Sequence, residues 1–412
     1  MSPTVLDSFR GDLLSTLPFT RSANAFNSID EYIQIHRGED LVLKIAPDVA
    51  HPVISVVFPS AVQDPCVFHC FLAAAQSLYE FRRSPWPPER SSVMSHLQGK
   101  AFSALQQRLS APSAHLDDGV LYSIIHLMIA AGGQYDSAAV KSHLIGIRQI
   151  IVLRGGLGNT PAHQTIRGIL TVIEYFNALD QYLDGSPDDL EAIPSSQLDY
   201  ARHPFSPRLC KLIATLPDGF AEVALSGRIS VQCIQLLSSV ASWQSLINES
   251  PTTSSGSSDQ TRDRLCRLFC DPRECARNAV LILLYMKRSG KPLGLEYIIC
   301  IGLAICVRHL SQENRTSLFD NKLLDSMMKN IKAIKSPQPS DSEAILWLSL
   351  IVNWRTQSIH PVKKADDVLD LVITKFPGLQ TWKKVSTVCQ KFWWFDCLKD
   401  DLEKCWRKSF ER

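Results

Sequence analysis

Cysteine is the residue type in this chain with the most chemistry within reach, and there are 12 of them in 412 residues. A thiolate can ligate a metal or attack an electrophile. Two thiolates three positions apart can bite a single zinc ion. No two cysteines here have that spacing. The closest sets are Cys66/Cys70 and Cys266/Cys270/Cys275. Spacing of four puts two thiols on one helical face. A metal site needs four convergent ligands, and neither set supplies them locally. The cysteines sit mostly inside apolar runs such as VFHCFL, YIICIGLAICV and FWWFDC. They read as reduced, buried thiols of an intracellular protein, so no metal is expected.

The remaining candidates for chemistry are weaker. Two acidic runs, Asp188-Asp189-Leu190-Glu191 and Asp400-Asp401-Leu402-Glu403, invite comparison with helical prenyl-transfer enzymes, which hold magnesium on a diphosphate. The first lies in a Pro/Ser-rich stretch and the second among lysines (Lys399, Lys404), so solvated carboxylates are the plainer reading. Gly155-Gly156-Leu157-Gly158 lacks the Lys-Ser/Thr of a phosphate loop and follows a helix instead of a strand. There is no Gly-x-Ser-x-Gly elbow and no His-Glu-x-x-His pair. His69 and His126 lie within apolar helices and read as core histidines. No catalytic residue and no cofactor is expected.

The elements that would position any such residue are helical. Val140, Leu144, Ile147 and Ile151 recur at helical spacing and form one apolar stripe, with Lys141, Ser142, Arg148 and Gln149 off it. Gly155 and Gly156 end that helix, and Arg154 complements its dipole in the last turn. Gly146, mid-helix, costs about 1 kcal/mol against alanine, which the close approach of a second helix would offset. Asp64-Pro65 is a helix start, N-cap then N1. Further helices are expected over Ser92 to Leu109, Asp118 to Ala131, Ala162 to Leu183, Thr261 to Phe269 and Glu274 to Ser289, with others to the C-terminus. A weak strand-like alternation is confined to Pro52 to Phe58.

The last 30 residues, Lys383 to Arg412, interleave aromatics with basic residues, which can suit nucleic acid. Val388, Phe392, Phe395, Leu398, Leu402 and Cys405 nevertheless keep helical spacing, so a docked amphipathic helix is expected. A net charge of +2 argues against DNA contact by the chain alone. No signal peptide and no apolar run of membrane-spanning length is legible. The organisation expected is a partly helical segment over 1–55, a helical part over 56–249, a Ser/Thr/Gly linker over 250–260 and a second helical part over 261–412. The fold class is all-α, an irregular multi-helix array.

Three blocks carry a resemblance. The segment VKSHLIGIRQIIVLRGGLG is similar to the signature helix of the fungal-specific transcription factor domain, the regulatory region that follows the zinc cluster in many fungal regulators. The matching positions are His143, Leu144, Gly146, Arg154, Gly155, Gly156 and Leu157. FPSAVQDPCVFHCFL (Phe58 to Leu72) and LPDGFAEVALSGRISVQCIQLL (Leu216 to Leu237) resemble two further blocks of the same family. The resemblance implies an all-α regulator in the nucleus. It would bind other transcription regulators, coregulators or a small-molecule effector, and often control metabolic or secondary-metabolite genes. The family's six-cysteine zinc cluster cannot be written from these cysteines. The expectation is therefore a truncated gene product, or a regulator working through another DNA-binding protein. The competing readings are a helical enzyme of secondary metabolism and a scaffold that senses nothing.

Overall fold

The computed structural model describes residues 23–37, 53–83, 91–184, 198–248, 258–290, 294–310, 317–335, 337–359, 363–376, 378, 381–393 and 398–410. Among them are seventeen α-helices and no strand. The all-α expectation holds. Of the partly helical segment expected over 1–55 only 23–37 and 53–55 are described, and the acidic run at Asp188 lies outside the described residues. Contacts divide the described chain into two compact units, one up to Leu170 and one from Thr171 onward. Most of the linker expected over 250–260 lies outside the described residues, and its last three residues, from Ser258, are helical and belong to the second unit.

The first unit holds α1 (Ala23–Arg37), α2 (Phe58–Gln63), α3 (Pro65–Arg83), α4 (Ser92–Leu109), α5 (Asp118–Gly133), α6 (Ser137–Leu153) and the start of α7 (Pro161–Asp184). A π-helical turn, Val53–Val57, leads into α2, so the strand-like alternation there is overturned. Val53 and Val57, four apart, are the buried pair, and helical spacing wins over alternation. Helix α3 is the hub, packed by α1, α2, α4 and α5. Its Ala73-Ala74-Ala75 run is fully buried, which lets neighbouring backbones approach closely. Phe71 sits in an aromatic cluster, edge-on to Tyr32 at 4.9 Å and to His126 at 5.6 Å. Helix α5 is buried continuously from Val120 to Met128, as a helix apolar on every side must be. Gly133, at its end, meets α3: a Cβ there would fall on the Ser77 side chain, whose hydroxyl donates to Ala130 O at 2.7 Å.

The second unit continues with α8 (Pro207–Ile213), α9 (Asp218–Leu225), α10 (Val231–Asn248), α11 (Ser258–Arg288), α12 (Leu295–Leu310), α13 (Ser317–Ala333), α14 (Pro339–Ile359), α15 (Lys363–Lys375), α16 (Trp382–Cys389) and α17 (Lys399–Phe410). Helices α12 and α14 form its centre. Ile298 to Ile305 of α12 and Ala344 to Leu350 of α14 are almost wholly buried.

Two boundaries differ from expectation. The sequence reads a break near Asp271-Pro272, yet α11 runs through Pro272. Proline has no N–H, so the carbonyl of Leu268, one turn earlier, loses its helical donor. The buried indole of Trp243 on α10 supplies a replacement, Nε1 donating to Leu268 O at 3.1 Å. The single helix expected at the C-terminus is also broken. Helix α16 stops at Cys389, and Phe392-Trp393 turn inward against Phe220 at 4.9 and 4.4 Å. Trp347 Nε1 donates to Trp393 O at 3.1 Å, and Gly219 N to Lys391 O at 2.8 Å. These aromatics are committed to the core, and α17 restarts the helix with Leu402 and Cys405 buried. The side chain of Phe395 lies outside those described.

Candidate functional site

The end of α6 is built as the glycines dictate. Gly155 and Gly156 take φ of +79° and +101°, where a side chain would be strained. The Gly155 N–H donates to Val152 O at 3.0 Å and the Gly156 N–H to Ile151 O at 2.8 Å, a Schellman cap. Beyond it, Arg167 Nη2 on α7 donates to Leu157 O at 2.5 Å and Gly158 O at 2.8 Å. The loop is therefore held by its own backbone and by one arginine, with its carbonyls facing that arginine instead of a phosphate.

Arg154 does more than complement a dipole. Its side chain is only 9% exposed. Nη2 donates to Asp118 Oδ1 at 2.7 Å and lies 3.2 Å from His163 Nε2, which is 2.9 Å from the same carboxylate oxygen. Burial alone would raise the Asp118 carboxyl, but His163 and Arg154 beside it outweigh burial and hold it low. Asp118 and His163 carried no expectation. Each sits in the first turn of a helix, a signal too common to single out either one.

Of the other signature residues, Leu144 is buried and His143 is half-buried, its ring stacked on Phe102 at 6.2 Å. Gly146 contradicts its expectation. A Cβ there would meet nothing within 4 Å, so among the described residues no second helix crosses at this point. Spacing placed Gly146 on a helix but could not say whether a neighbour packs against it.

The second block is a pair of caps sharing one cation. Asp64 Oδ1 accepts from Cys66 N at 2.9 Å and Val67 N at 3.2 Å, closing the start of α3. Asp117 caps α5 through Gly119 N at 2.8 Å. Arg108, at the end of α4, pairs with both: Nη1 with Asp64, Nε with Asp117 at 2.5 Å and Nη2 with Asp117 at 2.9 Å. One guanidinium thus ties three helix ends together.

The third block is equally structural. Ser230 caps α10 through Cys233 N at 3.1 Å, and both its backbone N–H, at 3.0 Å, and its hydroxyl donate to the buried Glu296 of α12. The Tyr200 hydroxyl donates to the same carboxylate at 2.5 Å. Arg228 grips Asp341 at the start of α14 with bonds of 2.5 and 2.6 Å. A Cβ at Gly219 would strike the Phe392 ring.

The acidic run at Asp400 lies on the outer face of α17. Lys404 reaches Asp401 at 3.5 Å and Arg407 reaches Glu403 at 2.7 Å, each an exposed cation on a half-buried acid. Cys275 is buried, and the side chains of Cys266 and Cys270 lie outside those described. Among the described residues no three His, Cys, Asp or Glu side chains form a metal-binding group. No helix described is long and apolar enough to cross a membrane.

A groove of about 980 Å³ lies in the second unit, lined by residues of α8, α10 and α11. Arg202, Arg208, Lys211 and Arg267 line it with Asp271 and Glu274, and Ser238, Ser239 and Ser242 of α10 line it too. Arg267 and Asp271 pair at 3.3 Å across one turn. Donors and acceptors of both charges suit a polar ligand that carries both.

A family model described as the fungal specific transcription factor domain matches residues 41–184. The signature helix and the Asp64 block lie inside that match, and the Leu216 block lies beyond it. No curated protein and no solved structure matches the chain.

Proposed function

With residues 41–184 a fungal-specific transcription factor domain, we propose that this chain regulates transcription in the nucleus by binding. Its partners are other transcription regulators or coregulators, and the second-unit groove takes a small polar effector. It does not read DNA alone. Its targets are metabolic genes, secondary-metabolite clusters among them. The family match is the observation that carries this reading. The site geometry supports it, because the motif residues described above are spent on caps, clamps and core, which leaves binding surfaces as the working part. The near-neutral charge of +2 supports the absence of direct DNA contact, since phosphate binding needs a concentrated basic surface.

The test is tethering. The full chain is fused to an unrelated DNA-binding module, and a reporter bearing that module's site is measured in a fungal nucleus. A change in reporter output that the module alone does not give is expected. An unchanged reporter, with the fusion shown to be folded and nuclear, would overturn the proposal. A second arm uses fluorescence anisotropy of the purified chain on promoter fragments at about 150 mM salt. The expected result is weak binding, indifferent to sequence, that fades as salt rises. Sequence-selective nanomolar binding would refute the claim that DNA is reached through a partner.

A further inference from the structure

Among the described residues eight large apolar side chains stand exposed. Seven of them lie in the first unit on α4, on the short turn Ala114–Leu116 after it, or on α6. Exposed apolar residues scattered singly need no explanation, whereas a cluster marks an interaction surface. Phe102 and Leu109, seven apart, share one face of α4, and Ile145 and Val152, seven apart, share one face of α6. The two helices are tied at both ends of this face. At one end the Phe102 ring stacks on that of His143 at 6.2 Å. At the other, Arg108 pairs with Asp117 and Arg154 with the adjoining Asp118. Leu109, Leu116 and Leu153 each stand next in sequence to one of those residues and so meet at that corner. Val152 and Leu153 are 77% and 71% exposed, too open to serve the core. Beside Ile145, Gly146 leaves the backbone open to close approach.

The charge on these helices has one sign. Neither α4 nor α6 contains an aspartate or glutamate; their charged side chains are Lys100, Arg108, Lys141 and Arg148. Asp117 and Asp136, just before α5 and α6, are bound in caps. Lys141, Ile145, Arg148 and Val152 follow one another at spacings of four, three and four, so cation and apolar side chain alternate along a single stripe of α6.

We infer that this face docks an acidic amphipathic helix of a partner protein. The partner's apolar side chains, at helical spacing, cover Phe102, Ile145 and Val152, and its carboxylates meet Lys141 and Arg148. The inference rests on the reading of the chain as a regulator that works by binding, and it names the chemistry of the partner. Burial of the apolar side chains supplies affinity, and the charge selects the partner. A second copy of this chain would bring the same cations against each other. An anionic membrane calls for a cluster of about four to eight basic residues, more than this stripe holds.

The test is fluorescence anisotropy of the full chain with two labelled amphipathic peptides, each about 30 Å long as a helix. Their Leu and Phe positions are identical; one carries Asp and Glu elsewhere, the other Lys and Arg. The acidic peptide should bind, more weakly as salt rises past about 150 mM. Val152→Ser with Leu153→Ser should weaken it at least tenfold at unchanged Tm. Lys141→Glu with Arg148→Glu should weaken the acidic peptide and strengthen the basic one, an exchange that misfolding cannot imitate. No binding of the acidic peptide, or equal binding of both, would overturn the inference. So would a dimer in sedimentation that the Val152/Leu153 change dissolves, which assigns the face to a second copy. Binding to phosphatidylserine vesicles lost in the same variant would likewise assign it to a membrane. The tethered reporter separates the two proposals. An unchanged wild-type reporter overturns the regulator reading, whereas equal changes from wild type and the Val152/Leu153 variant overturn the docking face alone.

Discussion

Arg154 Nη2 donates to Asp118 Oδ1 at 2.7 Å, tying the C-terminal end of α6 to the first turn of α5. The tie closes a helical hairpin at the end away from its connecting turn. Truncating it should be costly in proportion to the burial of the arginine. Arg154→Ala is expected to lower unfolding free energy by about 1–2 kcal/mol, toward the low side for a charged hydrogen bond because Asp118 is 39% exposed. Arg148→Ala, on the exposed face of α6, should change it by less than about 0.5 kcal/mol. Urea titrations of the two variants make the comparison; equal effects would mean the arginine does not hold the hairpin.

The two glycines of this region should respond in opposite ways. Gly133 packs on α3, with Ser77 Cβ and backbone carbon 3.2 and 3.3 Å from where its own Cβ would stand. Gly133→Ala should destabilise by about 1–3 kcal/mol through overpacking. Gly146 faces open space, so Gly146→Ala should stabilise by up to about 1 kcal/mol through helix propensity. Thermal melts of the pair decide it, and a loss at Gly146 would contradict the open surface.

Acid sensitivity should centre on His126. Burial pushes its imidazole down to about 4, against an ordinary value of about 6.5. Its Nδ1 lies 2.7 Å from Tyr122 O, and Nε2 is buried with no hydrogen-bond partner among the described residues. The unfolded chain takes up the proton first. The contribution is therefore complete above about pH 6.5 and drains away as pH falls toward about 4, by a few kcal/mol in order of magnitude. Melting temperatures from pH 7.5 to 4.5 should fall less steeply for His126→Gln than for the wild type. Parallel slopes would remove His126 as the cause.

The buried carboxylate of Glu296 should behave as a shared acceptor. Glu296→Leu leaves the Ser230 N–H, the Ser230 hydroxyl and the Tyr200 hydroxyl without it, each worth about 1–3 kcal/mol. Tyr200→Phe removes one donor and should cost about 1 kcal/mol. Once Glu296 is gone the second change should matter little, so the double variant should fall short of the sum. Strict additivity in denaturant midpoints would show that the three groups do not act together.

What could be read from the chain was what neighbours along it decide. The stop of α6 is written in Gly155-Gly156, and the start of α3 in Asp64-Pro65; both are local chemistry. The Ser92 to Leu109 helix is found with its expected ends because a serine cap and a proline-containing turn bracket it. The misreadings share a different cause. The continuity of α11 depends on Trp243, the interruption after α16 on Phe220 and Trp347, and the surroundings of Gly146 on what does not pack there. The Arg108 tie joins residues 44 apart. In each case the deciding partner is distant in sequence, and periodicity reports a face without naming its neighbour.

The carbonyl of Leu268 depends on an indole instead of an amide, and that changes what kind of element α11 is. A backbone donor is fixed by the helix that contains it. A side-chain donor hangs on rotatable bonds and belongs to another helix. Wherever Trp243 swings or shifts with α10, the helix loses a rung beside the one residue that cannot supply it. The 31-residue rod is therefore completed at Leu268, one turn before Pro272, by a donor that belongs to a neighbour.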